Sequence, residues 1–182
     1  STWRSASIGG FIAGGSGGIG SVRWGFLRDP GHLLGLEVVT VEDTPRKLKL
    51  DSTESEALNH AYGTNGIITS LTLATAPFIP WHEVAIECED WSKAISLIQQ
   101  APKAAVDIFL CSLLEKEIVE NLPYWKLKEK GSHLILMLVA PDGLTTIQHL
   151  ATSSGATFKH LGPEDEKSGS GIRELTWNHT TL

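Results

Sequence analysis

The chain has 182 residues, 41% of them hydrophobic and 20% charged, with a net charge of −6. These are ordinary globular proportions, and a chain of this length can build a core without disulfide or metal staples. The 15 lysines and arginines are scattered and form no basic stripe, which argues against nucleic acid as a partner. No apolar run approaches the ~20 residues of a membrane span, and no signal peptide is visible, so a cytoplasmic location is expected. The two cysteines, Cys88 and Cys111, show neither metal-ligand nor disulfide-framework spacing and suit a reducing compartment. Ser1–Ser7 leads straight into glycines, and Thr176–Leu182 stops without a cap or a polar tail. Both ends therefore read as cuts inside a longer protein.

In chain order, residues 8–25 hold eight of the 18 glycines: Gly9, Gly10, Gly14, Gly15, Gly17, Gly18, Gly20 and Gly25. That density predicts neither an ordinary helix nor a strand, but backbone that must approach something closely. Pro30-Gly31 marks a turn. Leu34–Glu42 is β-branched and predicts a strand, with Lys47–Leu50 as its hairpin partner. Glu54–Ala61 predicts a short helix capped by Ser52 or Thr53. The turn-rich Tyr62–Gly66 precedes a β-prone run, Ile67–Thr75, which Pro77 and Pro80 end. Beyond Pro80 glycines become rare and a strand–helix rhythm begins. Glu83–Glu89 reads as a strand. Asp90 caps a helix over Trp91–Gln100, with Trp91, Ala94, Ile95 and Ile98 on its apolar stripe. Ala105–Cys111, His133–Ala140 and Thr157–Leu161 read as strands, and Leu113–Asn121 and Asp142–Ser153 as helices. This alternation suggests a small ferredoxin-like sandwich. Pro163–Gly171 reads as an acidic, Ser/Gly-rich loop.

The glycine-rich segment fits two ligand classes. Gly15-Ser16-Gly17-Gly18-Ile19-Gly20 satisfies the nicotinamide fingerprint G-x-G-x-x-G, Glu42-Asp43 stands where a ribose-binding acid would, and Tyr124 and Lys128 show Y-x-x-x-K spacing with Ser112 upstream. The context opposes it. A hydrophobic strand should precede that motif, where Gly9-Gly10 stands, and Gly25 and Pro30-Gly31 leave little room for the helix that should come after it.

Four ordered segments carry a different likeness. They are Ser7-Ile8-Gly9-Gly10-Phe11-Ile12-Ala13, then Gly17–Gly25 ending in Trp24-Gly25, then Leu36-Glu37-Val38-Val39, then Tyr62-Gly63-Thr64-Asn65-Gly66-Ile67-Ile68-Thr69. In this order they resemble the FAD-linked oxidases of the vanillyl-alcohol oxidase superfamily, which includes glycolate oxidase subunits and D-lactate dehydrogenases. The resemblance implies an α+β fold: the second subdomain of a PCMH-type FAD-binding domain over 1–80, followed over 81–182 by part of a ferredoxin-like substrate (cap) domain. It implies FAD as cofactor, and a flavoprotein that oxidises a small hydroxy acid or alcohol by hydride transfer to flavin. Contacts to the flavin, ribitol and diphosphate would come from Gly9, Gly10, Ala13, Gly14, Gly15, Ser16, Gly18, Ile19 and Gly20. The adenosine side would meet Gly66, Ile67 and Ile68. The pyrophosphate loop of the first subdomain would stand before Ser1, so this piece alone is expected to bind FAD poorly and to be inactive. The implied partners are a small-molecule substrate, the missing N-terminal FAD subdomain and a possible second copy of the chain.

Arg173, Trp177, Asn178 and His179 form a polar-aromatic group that could hold a substrate carboxylate, with His179 as general base. The alternative is a strand edge with Trp177 in the core and His179 solvated. His32, His60, His82, His133, His149 and His160 show no metal spacing and read as surface or packing residues, so no metal is expected. Arg23 could meet a flavin phosphate or a surface carboxylate. A non-catalytic α/β interaction module, its glycines serving only tight packing, is the remaining alternative to an enzyme. A Gly-rich loop encoded upstream of Ser1 would decide for the flavoprotein.

Overall fold

The computed structural model describes residues 6–15, 17–18, 21–121, 131–165 and 171–177. It is a mixed helix-and-sheet structure whose two antiparallel sheets belong to two compact units, divided between Phe78 and Ile79.

The first unit contains α1 (Ile8–Gly14), α2 (Ser21–Trp24), β1 (Leu33–Val39), β2 (Lys47–Asp51), α3 (Ser52–Ser55) and β3 (Ile67–Leu73). Its sheet has the order β2-β1-β3. The predicted β1–β2 hairpin forms, with Leu36 opposite Leu50 and Val38 opposite Leu48. On the other side of β1, Leu36 meets Leu71 and Val38 meets Ile68. This register gathers the apolar side chains on one face, where Leu33, Leu36, Val38 and Leu58 enclose Ile12 of α1.

Two expectations fail here. Residues 8–14 are helical despite Gly9, Gly10 and Gly14. Tertiary anchoring outweighs propensity. The Ser7 side chain caps the start by accepting from the Gly10 N–H at 3.0 Å. Ile12 is fully buried. The other end closes through Gly15 in left-handed backbone and through amides donated by the 60–62 loop. The second failure is the helix expected over Glu54–Ala61. α3 begins earlier and stops at Ser55, because Asp51 is the cap: Asp51 and Glu54 form a reciprocal capping box.

The second unit contains β4 (His82–Cys88), α4 (Trp91–Gln100), β5 (Ile108–Leu114), α5 (Lys116–Asn121), β6 (His133–Val139), α6 (Leu144–Ser153), β7 (Thr157–Pro163) and α7 (Ile172–Trp177). The sheet order is β5-β6-β4-β7, all antiparallel. This is the order of two interleaved β-α-β units, with α5 added in the β5–β6 connection. Asp90 caps α4 as expected, accepting from the Lys93 N–H at 2.8 Å. The buried stripe of α4 is Ala94 and Leu97, continued by Ala101, while Trp91 is 38% exposed. β5 begins three residues later than expected, because residues 101–103 continue α4 as a 3-10 turn.

All seven residues of β6 are buried, so both faces of this central strand are covered. Val84, Ile86 and Cys88 of β4 and Ile135, Met137 and Val139 of β6 pack with Ala94 and Leu97 of α4 and with Ile147 and Ala151 of α6. Cys111 packs against the same core, where burial pushes its thiol up to about 12. Alternation puts Ala85, Glu87, Leu134, Leu136 and Leu138 on the opposite face. There the buried Glu87 carboxylate accepts from Lys159 Nζ at 2.7 Å. Its second oxygen is buried with no partner among the described residues. Breaking such a pair by removing the cation leaves an uncompensated charge. Lys159→Met is therefore expected to destabilise the protein by about 3 kcal/mol. Glu87→Gln together with Lys159→Met should recover much of that loss. Urea unfolding of both variants checks this, and equal losses in the two would contradict it.

Candidate functional site

The candidate residues of the first unit converge from two segments about 50 residues apart in sequence. α1 packs on β3, so that a Cβ placed on Gly9 would lie 3.9 Å from the Ile68 side chain. Gly9 thus lets the helix approach the strand. The carbonyls that end α1 are taken by the loop before β3. The His60 N–H donates to the Ile12 carbonyl at 3.1 Å, and the Tyr62 N–H to the Ala13 carbonyl at 2.8 Å. Gly15 donates to the Ile12 carbonyl as well, at 3.0 Å. His60 and Tyr62 have φ of 61° and 52°, in the left-handed region. Beyond them, Gly66 has φ of 152° and is buried against Val38 and the Val39 carbonyl, where a Cβ could not fit. Ile67 is 65% exposed, while Ile68 turns into the core.

These contacts sort the expected cofactor residues. The structure brings Gly9, Ala13 and Gly15 together with the 60–68 loop. The N–H groups of Gly10 and Gly15 are engaged within the helix and its caps and are not donors to a ligand. Ala13 and Gly14, half-buried, and Gly18, exposed, present small side chains or none. The Gly18 carbonyl accepts from Ser21, through both the N–H at 2.9 Å and Oγ at 2.5 Å. Ser16, Ile19, Gly20 and His179 lie outside the described residues, as do Asn178, Tyr124 and Lys128. Sequence reasoning missed His60 and Tyr62. A left-handed backbone is legible where glycine marks it, and these two positions carry a histidine and a tyrosine.

The nicotinamide fingerprint lacks its context. A helix, α1, stands where a strand must precede the glycines, and the neighbouring sheet is antiparallel. Glu42, its ribose-binding candidate, is bound by Arg46 through Oε2 at 2.8 Å and Oε1 at 2.7 Å. That bonding holds the Glu42 carboxyl below its usual range.

In the second unit Arg173 is likewise committed. Its guanidinium grips Glu164 with two hydrogen bonds, at 2.6 and 2.8 Å, and lies 4.5 Å over the Phe109 ring. It is therefore not held ready for a substrate carboxylate. Beside it, Glu83 Oε1 accepts from the Ile172 N–H at 2.8 Å and so anchors α7. Burial pushes the Glu83 carboxyl above its ordinary range; the Ile172 hydrogen bond opposes this, Glu164 adds repulsion, and Arg173 offsets part of it. Among the described residues no three His, Cys, Asp or Glu side chains converge to hold a metal ion. No helix among them is long and apolar enough to cross a membrane.

No family model matches the sequence, and no curated protein matches it in sequence. Solved structures do match the fold. Two crystal structures of alkyldihydroxyacetonephosphate synthase align over 93% and 94% of this chain, with TM-scores of 0.71 and 0.68, each at 18% identity. Aclacinomycin oxidoreductase aligns over 95% with a TM-score of 0.54 at 17% identity. The chain shares the fold of these three structures over more than nine-tenths of its length. The chain spans 37%, 36% and 40% of the length of these three structures.

Two outcomes test the local geometry. Gly15→Ala meets both a left-handed backbone and the His60 ring. It should cost about 2–3 kcal/mol, against about 1 kcal/mol for Gly63→Ala, whose Cβ enters open space. Urea unfolding of the two variants decides, and equal costs would contradict the His60 contact. For Glu83, a raised folded pKa means stability that is present in acid and lost as pH rises through that pKa. Glu83→Gln keeps the acceptor for Ile172 but cannot ionise. Its stability relative to the unsubstituted protein should rise between about pH 4 and pH 7. A constant difference between those two pH values would contradict this.

Proposed function

We propose that the chain is part of an FAD-dependent oxidoreductase, its first unit the C-terminal half of the FAD-binding domain and its second the substrate domain. The observation that carries this is the fold match to oxidoreductase and synthase structures over more than nine-tenths of the chain. The local geometry agrees. The α1 end and the 60–68 loop, which Gly66 seats on β1, form one continuous wall. In this reading Ala13, Gly14, Gly18, Gly66 and Ile67 lie against the cofactor, because their small or exposed groups allow close approach. Ser16, Ile19 and Gly20 are proposed as further cofactor contacts, and His179 as general base, on the sequence alone.

FAD, when bound, accepts the hydride, and the protein orients the substrate and excludes water. A small hydroxy acid or alcohol is the proposed substrate. With Arg173 engaged by Glu164, any substrate carboxylate must be held by another group.

The full-length protein, reconstituted with FAD and freed of excess cofactor, is expected to show flavin absorbance bands. The present 182 residues alone are expected to bind FAD no tighter than the micromolar range. A full-length protein with no flavin bands and no FAD binding by titration would refute the proposal.

A further inference from the structure

Left-handed backbone favours glycine, and the chain uses glycine for it at Gly15, Gly25 and Gly63. At positions 60 and 62 it keeps a histidine and a tyrosine instead, with φ of 61° and 52°. Core packing does not explain the choice, since His60 is exposed and Tyr62 is 73% exposed. Nor does the contact between them. His60 Nε2 lies 3.0 Å from the Tyr62 hydroxyl and the rings are 5.1 Å apart, but a solvent-exposed hydrogen bond contributes too little to offset two strained residues. The amides of these residues close α1, and glycines at both positions would serve that purpose at lower cost. What glycine could not supply is the pair of side chains.

We propose that Tyr62, oriented by His60, is an aromatic platform on which a flat heteroaromatic ring of a nucleotide cofactor stacks. The proposal rests on the flavin reading of this unit and adds a side-chain subsite to a wall otherwise built of backbone. An exposed tyrosine ring offers a π-face to any flat heteroaromatic, whether purine or isoalloxazine. Its backbone is tied to the Ala13 carbonyl and its hydroxyl to His60, whose side chain lies against Gly15, so the ring is held before a ligand arrives. Such preorganisation lowers the ordering cost of binding. Two neighbours fit the same picture. Gly15 leaves space that the His60 side chain fills, and Gly63 continues the left-handed run into open space.

The experiment uses the full-length protein with FAD, AMP and FMN as separate probes, and with Tyr62→Gly, Tyr62→Phe and His60→Gly variants. Tyr62→Gly should bind FAD roughly 5- to 100-fold more weakly, the range set by one base–aromatic stack. Its apoprotein should melt at the same temperature as the unsubstituted protein or higher, because glycine relieves the backbone. Tyr62→Phe should stay within about threefold. His60→Gly, which frees the Tyr62 ring but keeps it, should weaken FAD binding by less than Tyr62→Gly does. A parallel loss of AMP binding identifies the purine as the stacked ring, and a parallel loss of FMN binding the isoalloxazine. If Tyr62→Gly binds FAD as tightly as the unsubstituted protein, the platform is wrong and the flavin reading stands. If the unsubstituted protein binds AMP or FMN in a Tyr62-dependent way but not FAD, the flavin reading fails and the platform stands. If it binds none of the three, both fail.

Discussion

Two amide hydrogen bonds, from His60 and Tyr62 to the last carbonyls of α1, hold the first unit in its observed form. A seven-residue helix with three glycines has no stability of its own in water. It exists because its carbonyls are capped from a distant loop and because Ile12 is fully buried beneath it. The same bonds fix the loop that leads into β3. Two segments far apart in sequence thereby become one surface.

The second unit is held differently. Its central strand β6 is buried on both faces, and sheet side chains cap two of its helices: His133 accepts from the Lys116 N–H and Glu83 from the Ile172 N–H. Asp90 sets the start of α4, and Ala94 and Leu97 seat it on β4 and β6. Two carboxylates of this interior are held by cations. Glu87 has Lys159, and Glu164 has Arg173, with Phe109 stacked on the guanidinium. The Glu87–Lys159 pair joins β4 to β7 and forms only when those strands are in register, whereas Glu164 and Arg173 tie α7 to the end of β7.

The sequence was most legible where one physical signal dominated. The capping aspartate and apolar stripe placed α4, the run His133–Val139 placed β6, and the alternation of Leu36, Val38, Leu48 and Leu50 placed the first hairpin. It misled where long-range contacts overruled a local preference. Glycine density argued against α1, whose C-terminal caps come from the distant 60–62 loop. The onset of β5 was set by the continuation of α4 through 101–103, which the alanine-rich stretch does not announce. Of the candidate site, the glycine positions could be read and their grouping with Ile68 could be inferred only from family likeness. His60 and Tyr62 could not be read at all, because strain on a non-glycine residue leaves no mark on the sequence.

The two thiols give the second unit a built-in clock. Cys88 lies under α4, its Sγ donating to the Asp90 carbonyl at 3.3 Å, and burial keeps Cys111 protonated through the physiological range. Only a thiolate reaches an alkylating reagent at an appreciable rate. The native sheet half-buries Cys111, so its thiol reacts slowly there and faster when β5 comes away from the core. A faster consumption of such a reagent by an intact preparation then reports a loosening of this half of the molecule, with no probe or label added.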